Sequence, residues 1–122
     1  LLHHKIDRQF AQTFRFLLEK LQAYVMPDGQ SLLDAGTAVW FSDLGNGPSH
    51  SARRIPFVIG GGAGGFLRQG QYVRASGDNE RNHAKMLNTI ASAAGVRKDN
   101  GDLVDDFGDP SLPNGLIAEA LA

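Results

Sequence analysis

The chain has no cysteine in its 122 residues, which excludes disulfides and thiolate metal sites. That absence fixes no compartment, because exported proteins also manage without cysteine. Charge of one sign is lacking too: 12 Lys and Arg stand against 13 Asp and Glu, for a net charge of −1. A general nucleic-acid or membrane-surface binder carries a basic excess, so neither class fits. No apolar run approaches the about 18 residues of a membrane-spanning helix. HExxH, HxH, GxSxG and GK[ST] are all absent, which removes the zincin, hydrolase-elbow and P-loop readings. The chain opens on Leu1-Leu2-His3-His4 without an initiator Met or a signal peptide, directly before a helical pattern. It reads as a piece of a longer protein, so missing targeting signals weigh little.

What is present suits a soluble α/β domain. Hydrophobic residues make up 42% and charged residues 20% of the sequence, enough for one modest domain with a core. Ile6, Phe10, Phe14, Leu17, Leu18 and Leu21 recur at steps of three and four, predicting a helix over 7–24. Pro27-Asp28-Gly29 stops it. Ser31, with Asp34 three residues on, reads as a small capping box over 31–36. The β-rich run 37–42 is apolar on both faces and fits a central strand. A second buried strand follows over 55–59, entered through Pro56. Residues 66–74 read as a hairpin turning near Gln69-Gly70, with Tyr72 and Val73 in its return strand. After a polar connector over 76–81, Met86, Leu87, Ile90, Ala93 and Ala94 mark the apolar stripe of a helix over 82–94. Asn79 or Asn82 stands as its cap, and Gly95 ends it. Residues 99–109 form an acidic loop, and 116–122 a frayed terminal helix. No repeat and no linker divides the chain, which reads as a single domain over 1–122 or a fragment of a larger one.

The candidate chemistry gathers in 37–65, TAVWFSDLGNGPSHSARRIPFVIGGGAGG. The glycines of 60–65 formally match GxGxxG, but a dinucleotide site needs a helix next, and a hairpin pattern follows instead. A flexible turn of close backbone approach is the simpler reading. Asp43 leaves the first strand, and His50 stands seven residues later in a Gly/Pro/Ser loop. A carboxylate and an imidazole so placed can converge on one metal, which predicts that they lie close in space. Loop histidines of purely structural role are common. Arg53 and Arg54 precede the second strand. They suit either bidentate pairing with a phosphate, sulfate or carboxylate, or a solvated edge or a partner role for Asp43. The acidic loop misses the EF-hand spacing and reads as solvated.

The order of these motifs carries a resemblance. A His-His pair before a helix, LLDAGTAVWFSDLGNG, SHS, IPFVIGGGAGGFLRQGQYVR, a second helix and DDFGD follow one another. This resembles the C-terminal part of an uncharacterised family of exported bacterial proteins that often carry twin-arginine signals, over nearly all of the chain. That family is similar in turn to the alkaline phosphatase/sulfatase superfamily. There a strand ends in Asp-His-Gly, whose Asp and His bind metal. An earlier Asp and His precede a helix, and a further His follows the loop. Carried over by position, the resemblance makes His4 (or His3), Asp43 and His50 metal ligands. Leu44 stands where the second metal-binding histidine belongs, and leucine has no donor atom. The earlier aspartate and the nucleophile fall upstream of Leu1.

The resemblance implies an α/β fold: a mixed sheet with packed helices, part of a larger three-layer α/β/α alkaline-phosphatase-like domain. It implies a divalent metal (Zn, Mn or Ca), a small anionic substrate held by Arg53 or Arg54, and a periplasmic or extracellular location. Three functions stand open. The first is a degenerate hydrolase-like metal site without proven activity. The second is a metal-dependent phosphoester or sulfoester hydrolase. The third is a non-catalytic module for a cell-surface partner. Nucleic acid and a membrane span are not expected.

Overall fold

Leu2 and Ile6 continue the stripe of Phe10 and Phe14 at steps of four, and nothing in His3, His4 or Lys5 breaks a helix. The first helix, α1, therefore runs Leu2–Ala23 and takes in both histidines expected to precede it. The computed structural model describes residues 2–74 and 83–122. The expected connector over 76–81 and the caps Asn79 and Asn82 lie outside the described residues. The chain divides into two compact units, one ending at Gly61 and one starting at Gly62, each described by itself.

In the first unit α1 ends before a tight turn. The Gly29 N–H donates to the Met26 carbonyl at 2.9 Å, and the Gln30 N–H donates to Asp28 Oδ1 at 3.0 Å. A one-turn helix, α2, spans Leu32–Ala35. Its expected capping box is present: the Asp34 N–H donates to Ser31 Oγ at 3.0 Å, and the Ser31 N–H donates to Asp34 Oδ2 at 3.3 Å. Strands β1 (Ala38–Phe41) and β2 (Phe57–Gly60) pair antiparallel, from Ala38 opposite Gly60 to Phe41 opposite Phe57.

Helix α1 lies against this sheet, with the Phe14 and Trp40 rings 5.8 Å apart. A Cβ on Gly60 would come within 2.6 Å of the Leu18 side chain, so glycine here lets the helix approach β2. At Gly61 φ is +96°, a left-handed value that L side chains rarely adopt, and a Cβ there would meet the Gly36 carbonyl oxygen at 2.5 Å. The apolar run 37–42 predicts a central strand covered on both faces. It is instead one of two strands, with Phe41 half exposed. An open apolar groove of about 300 Å³ remains between Phe10, Phe14 and Leu17 of α1 and Val39, Trp40 and Phe41 of β1.

The second unit has no strand among its described residues, and the expected hairpin over 66–74 does not form. The backbone there pairs elsewhere. The Arg68 N–H donates to the Ala120 carbonyl at 2.9 Å, and the Ala122 N–H donates to the Phe66 carbonyl at 3.1 Å. Leu67 thus bridges Leu121, and the C-terminal segment takes the place of the return strand. A 3₁₀ turn covers Ala63–Gly65, and another, Ala118–Ala120, stands where a frayed helix was expected.

Helix α3 spans His83–Ala93 and ends at Gly95, which has φ +86°. Its fully buried side chains are Asn88, Thr89 and Ser92, while Leu87 of the expected apolar stripe is 39% exposed. The polar face is occupied because the chain from 104 to 117 has backbone groups to satisfy and no sheet to do it. Asn88 donates to the Gly115 carbonyl and accepts from the Phe107 N–H, at 3.1 and 3.2 Å. Ser92 donates to the Val104 carbonyl at 3.2 Å. The described residues make a small mixed α/β structure of three α-helices and a two-stranded antiparallel sheet.

Candidate functional site: the loop between the paired strands

The loop joining β1 to β2 carries Asp43, His50, Arg53 and Arg54. Its base is the last rung of the sheet, where the Phe41 and Phe57 rings stack at 5.0 Å and 15°. Beyond that rung neither strand continues. Leu44 turns on its own N–H, which donates to Ser42 Oγ at 3.3 Å, and its side chain is half-buried while those of Ser42 and Asp43 are exposed.

A second, shorter pairing closes inside the loop. The Ser51 N–H donates to the Asn46 carbonyl at 3.1 Å. The Ser51 carbonyl accepts from both Asn46 and Gly45, at 3.2 and 2.9 Å. Two residues facing one make a bulge, which bends the chain. Gly45 is required at this point, since a Cβ there would lie 1.9 Å from the Arg53 carbonyl oxygen.

Residues 47–50 are the turn that this bridge closes. The His50 N–H donates to the Gly47 carbonyl at 3.1 Å, and the Ser49 N–H donates to Asn46 Oδ1 at 3.2 Å. His50 has φ +49° and Arg54 φ +59°, both in the left-handed region that non-glycine residues enter at a cost. The Asn46–Ser51 bridge divides the loop along the chain. Asp43, Arg53 and Arg54 lie on its sheet side, and His50 lies in the turn beyond it.

All four side chains are exposed. Asp43 accepts from the Ser42 hydroxyl at 3.5 Å. Neither arginine side chain forms an ion pair among the described residues, so the alternative in which one of them pairs with Asp43 is not realised. His4 is an exposed residue in the first turn of α1. Among the described residues no group of three or more His, Asp or Glu side chains is placed to hold a metal ion.

Sequence reasoning missed the two residues that shape the loop, Asn46 and Ser51. The signal available was the Asn-Gly-Pro-Ser turn flanked by Ser51, whose pairing partner only the backbone register reveals. No helix of the described residues is long and apolar enough to cross a membrane. No protein-family model, curated protein or solved structure matches the chain.

Proposed function

We propose that the loop between β1 and β2 is a degenerate hydrolase-like site on an exported protein, one that binds an anionic group without completing a catalytic centre. The domain around it, on this reading, is part of a three-layer α/β/α alkaline-phosphatase-like unit, and the protein works in the periplasm or outside the cell. The observation that carries the proposal is the state of the loop's charges. Arg53 and Arg54 are exposed and make no ion pair among the described residues, while half-buried Leu44 occupies the position where the resemblance asks for a metal-binding histidine.

The chemistry follows from those side chains. A guanidinium presents parallel N–H donors that match two oxygens of a phosphate or sulfate group. A divalent metal, where one binds, supplies Lewis-acid stabilisation of developing oxyanion charge. Asp43 and His50 offer two donors toward that role, fewer than the three protein ligands typical of a catalytic zinc site.

Two measurements on the purified protein test the reading. Titration calorimetry with inorganic phosphate and with sulfate is expected to detect binding that Arg53→Ala/Arg54→Ala abolishes; equal binding by the double variant removes the anion site. Elemental analysis after purification without chelator is expected to find no stoichiometric metal. Stoichiometric Zn, Mn or Ca that is lost in Asp43→Ala/His50→Ala would overturn the degenerate reading in favour of a metal-dependent phosphoester or sulfoester hydrolase.

A further inference from the structure

Three Asn-Gly pairs lie in the described residues: Asn46-Gly47, Asn100-Gly101 and Asn114-Gly115. This dipeptide is the one most prone to spontaneous deamidation, because glycine offers the attacking backbone nitrogen no side-chain hindrance. The fold treats the three pairs differently. The Gly101 N–H donates to the Lys98 carbonyl at 2.8 Å, and the Gly115 N–H donates to the Asp105 carbonyl at 2.7 Å. A nitrogen held in such a bond must give it up before it can attack. The Asn100 NH₂ group is held as well, donating to Asp102 Oδ2 at 2.7 Å.

The pair in the candidate site lacks the bond on its glycine nitrogen. The Gly47 N–H has no hydrogen-bond partner among the described residues, and both residues of the pair are exposed. The Asn46 carboxamide oxygen accepts from the Ser49 N–H, which draws electron density from the carbon to be attacked, while its NH₂ leaving group is unbonded among the described residues.

We propose that Asn46 is a deamidation site, set apart from Asn100 and Asn114 by the free Gly47 N–H, and that its conversion opens the loop between β1 and β2. The Gly47 nitrogen gives up its proton and attacks Asn46 Cγ; the Cγ–Nδ2 bond breaks and ammonia leaves, with a succinimide closed between the two residues. Water then adds to either imide carbonyl and opens the ring to aspartate or to isoaspartate. Neither oxidant nor reductant takes part.

The consequences follow from the bridge. Aspartate at 46 adds a negative charge to a loop that holds Asp43, Arg53 and Arg54. Isoaspartate routes the main chain through one more carbon between the residue's N–H and its C=O. Both of those groups bond to Ser51, so the paired spacing of the bridge is lost.

The test is a time course of the purified chain at mildly alkaline pH, with peptide mapping that separates asparagine, aspartate and isoaspartate. Asn46 is expected to convert several-fold faster than Asn100 and Asn114 in buffer, and the three rates to converge in concentrated urea. Gly47→Ala is expected to suppress conversion at Asn46 alone. A Cβ at 47 meets nothing within 4 Å, so the variant fits the fold, and unchanged hydrogen exchange at the Asn46 and Ser51 amides verifies that the loop has kept its bridge. Conversion of Asn100 or Asn114 as fast as Asn46 in buffer overturns the proposal, and so does a ranking that survives unfolding.

Discussion

The Ile117 N–H donates to Thr89 Oγ1 at 2.9 Å, and the same hydroxyl donates to the Lys85 carbonyl at 2.7 Å. One buried oxygen thus links helix α3 to a C-terminal segment that has no strand of its own. Asn88 and Ser92 repeat the device along the same face. In the second unit, side chains of a helix do the work that a neighbouring strand does in a sheet.

Thr89→Val removes that oxygen and leaves the Ile117 N–H buried without a partner. An unsatisfied buried donor costs about 1–3 kcal/mol, so the variant is expected to lose stability in that range. Thr89→Ser keeps the bond and is expected to lose less. Denaturant unfolding measures both, and hydrogen exchange at the Ile117 amide is expected to quicken only in the valine variant. Protection that is equal in the two variants would argue against this bond as the anchor.

The capping box of α2 makes an acid-side expectation. Hydrogen bonds from the Ser31 hydroxyl and then from the Ser31 N–H hold the Asp34 carboxyl below the ordinary carboxylate range. A depressed folded value means that its contribution is present above the unfolded value and is lost as pH falls through the folded one. Asp34→Ala is expected to unfold more easily than the native chain near neutral pH. That difference should shrink below the ordinary carboxylate range, as read from denaturant midpoints across an acid series.

On the alkaline side, Lys98 pairs with Asp105 and with Asp106 Oδ2, the latter at 3.1 Å. Hydrogen bonding to Asp105, then to Asp106, raises the lysine above its usual range. With the folded value raised, the contribution is complete below the unfolded lysine value and disappears as pH rises through the folded one. Lys98→Met is expected to match the native chain at high pH and to fall below it near neutrality. A constant offset at every pH would assign the effect to lost packing of the lysine stem.

Gly45→Ala tests the bulge. The added methyl has to displace the Arg53 carbonyl, and overpacking of this kind costs about 1–3 kcal/mol. The variant is expected to speed hydrogen exchange at Asn46 and Ser51, whose amides form the bridge, and, on the proposed anion-binding reading, to weaken phosphate binding by shifting Arg53. Unchanged exchange at both amides would show that the loop does not depend on this approach.

The sequence by itself determined the elements whose signals are local. The steps of three and four placed α1 and α3, the Ser31–Asp34 spacing placed the cap of α2, and β-branched and aromatic runs placed β1 and β2 to within two residues. It also located the polar loop between the strands and the residue types it carries. Tertiary structure decided everything that depends on a distant partner. Residues 66–74 have hairpin chemistry, yet their backbone pairs with 120–122, and no local signal encodes that choice. The periodicity of α3 marked Leu87 as core, while Asn88, Thr89 and Ser92 are the side chains that lie inside, because bonds to 104–117 repay their desolvation. In the candidate loop, the types Asp, His and Arg were legible. That Asn46 pairs with Ser51 inside the loop was not, since register is a property of two segments together.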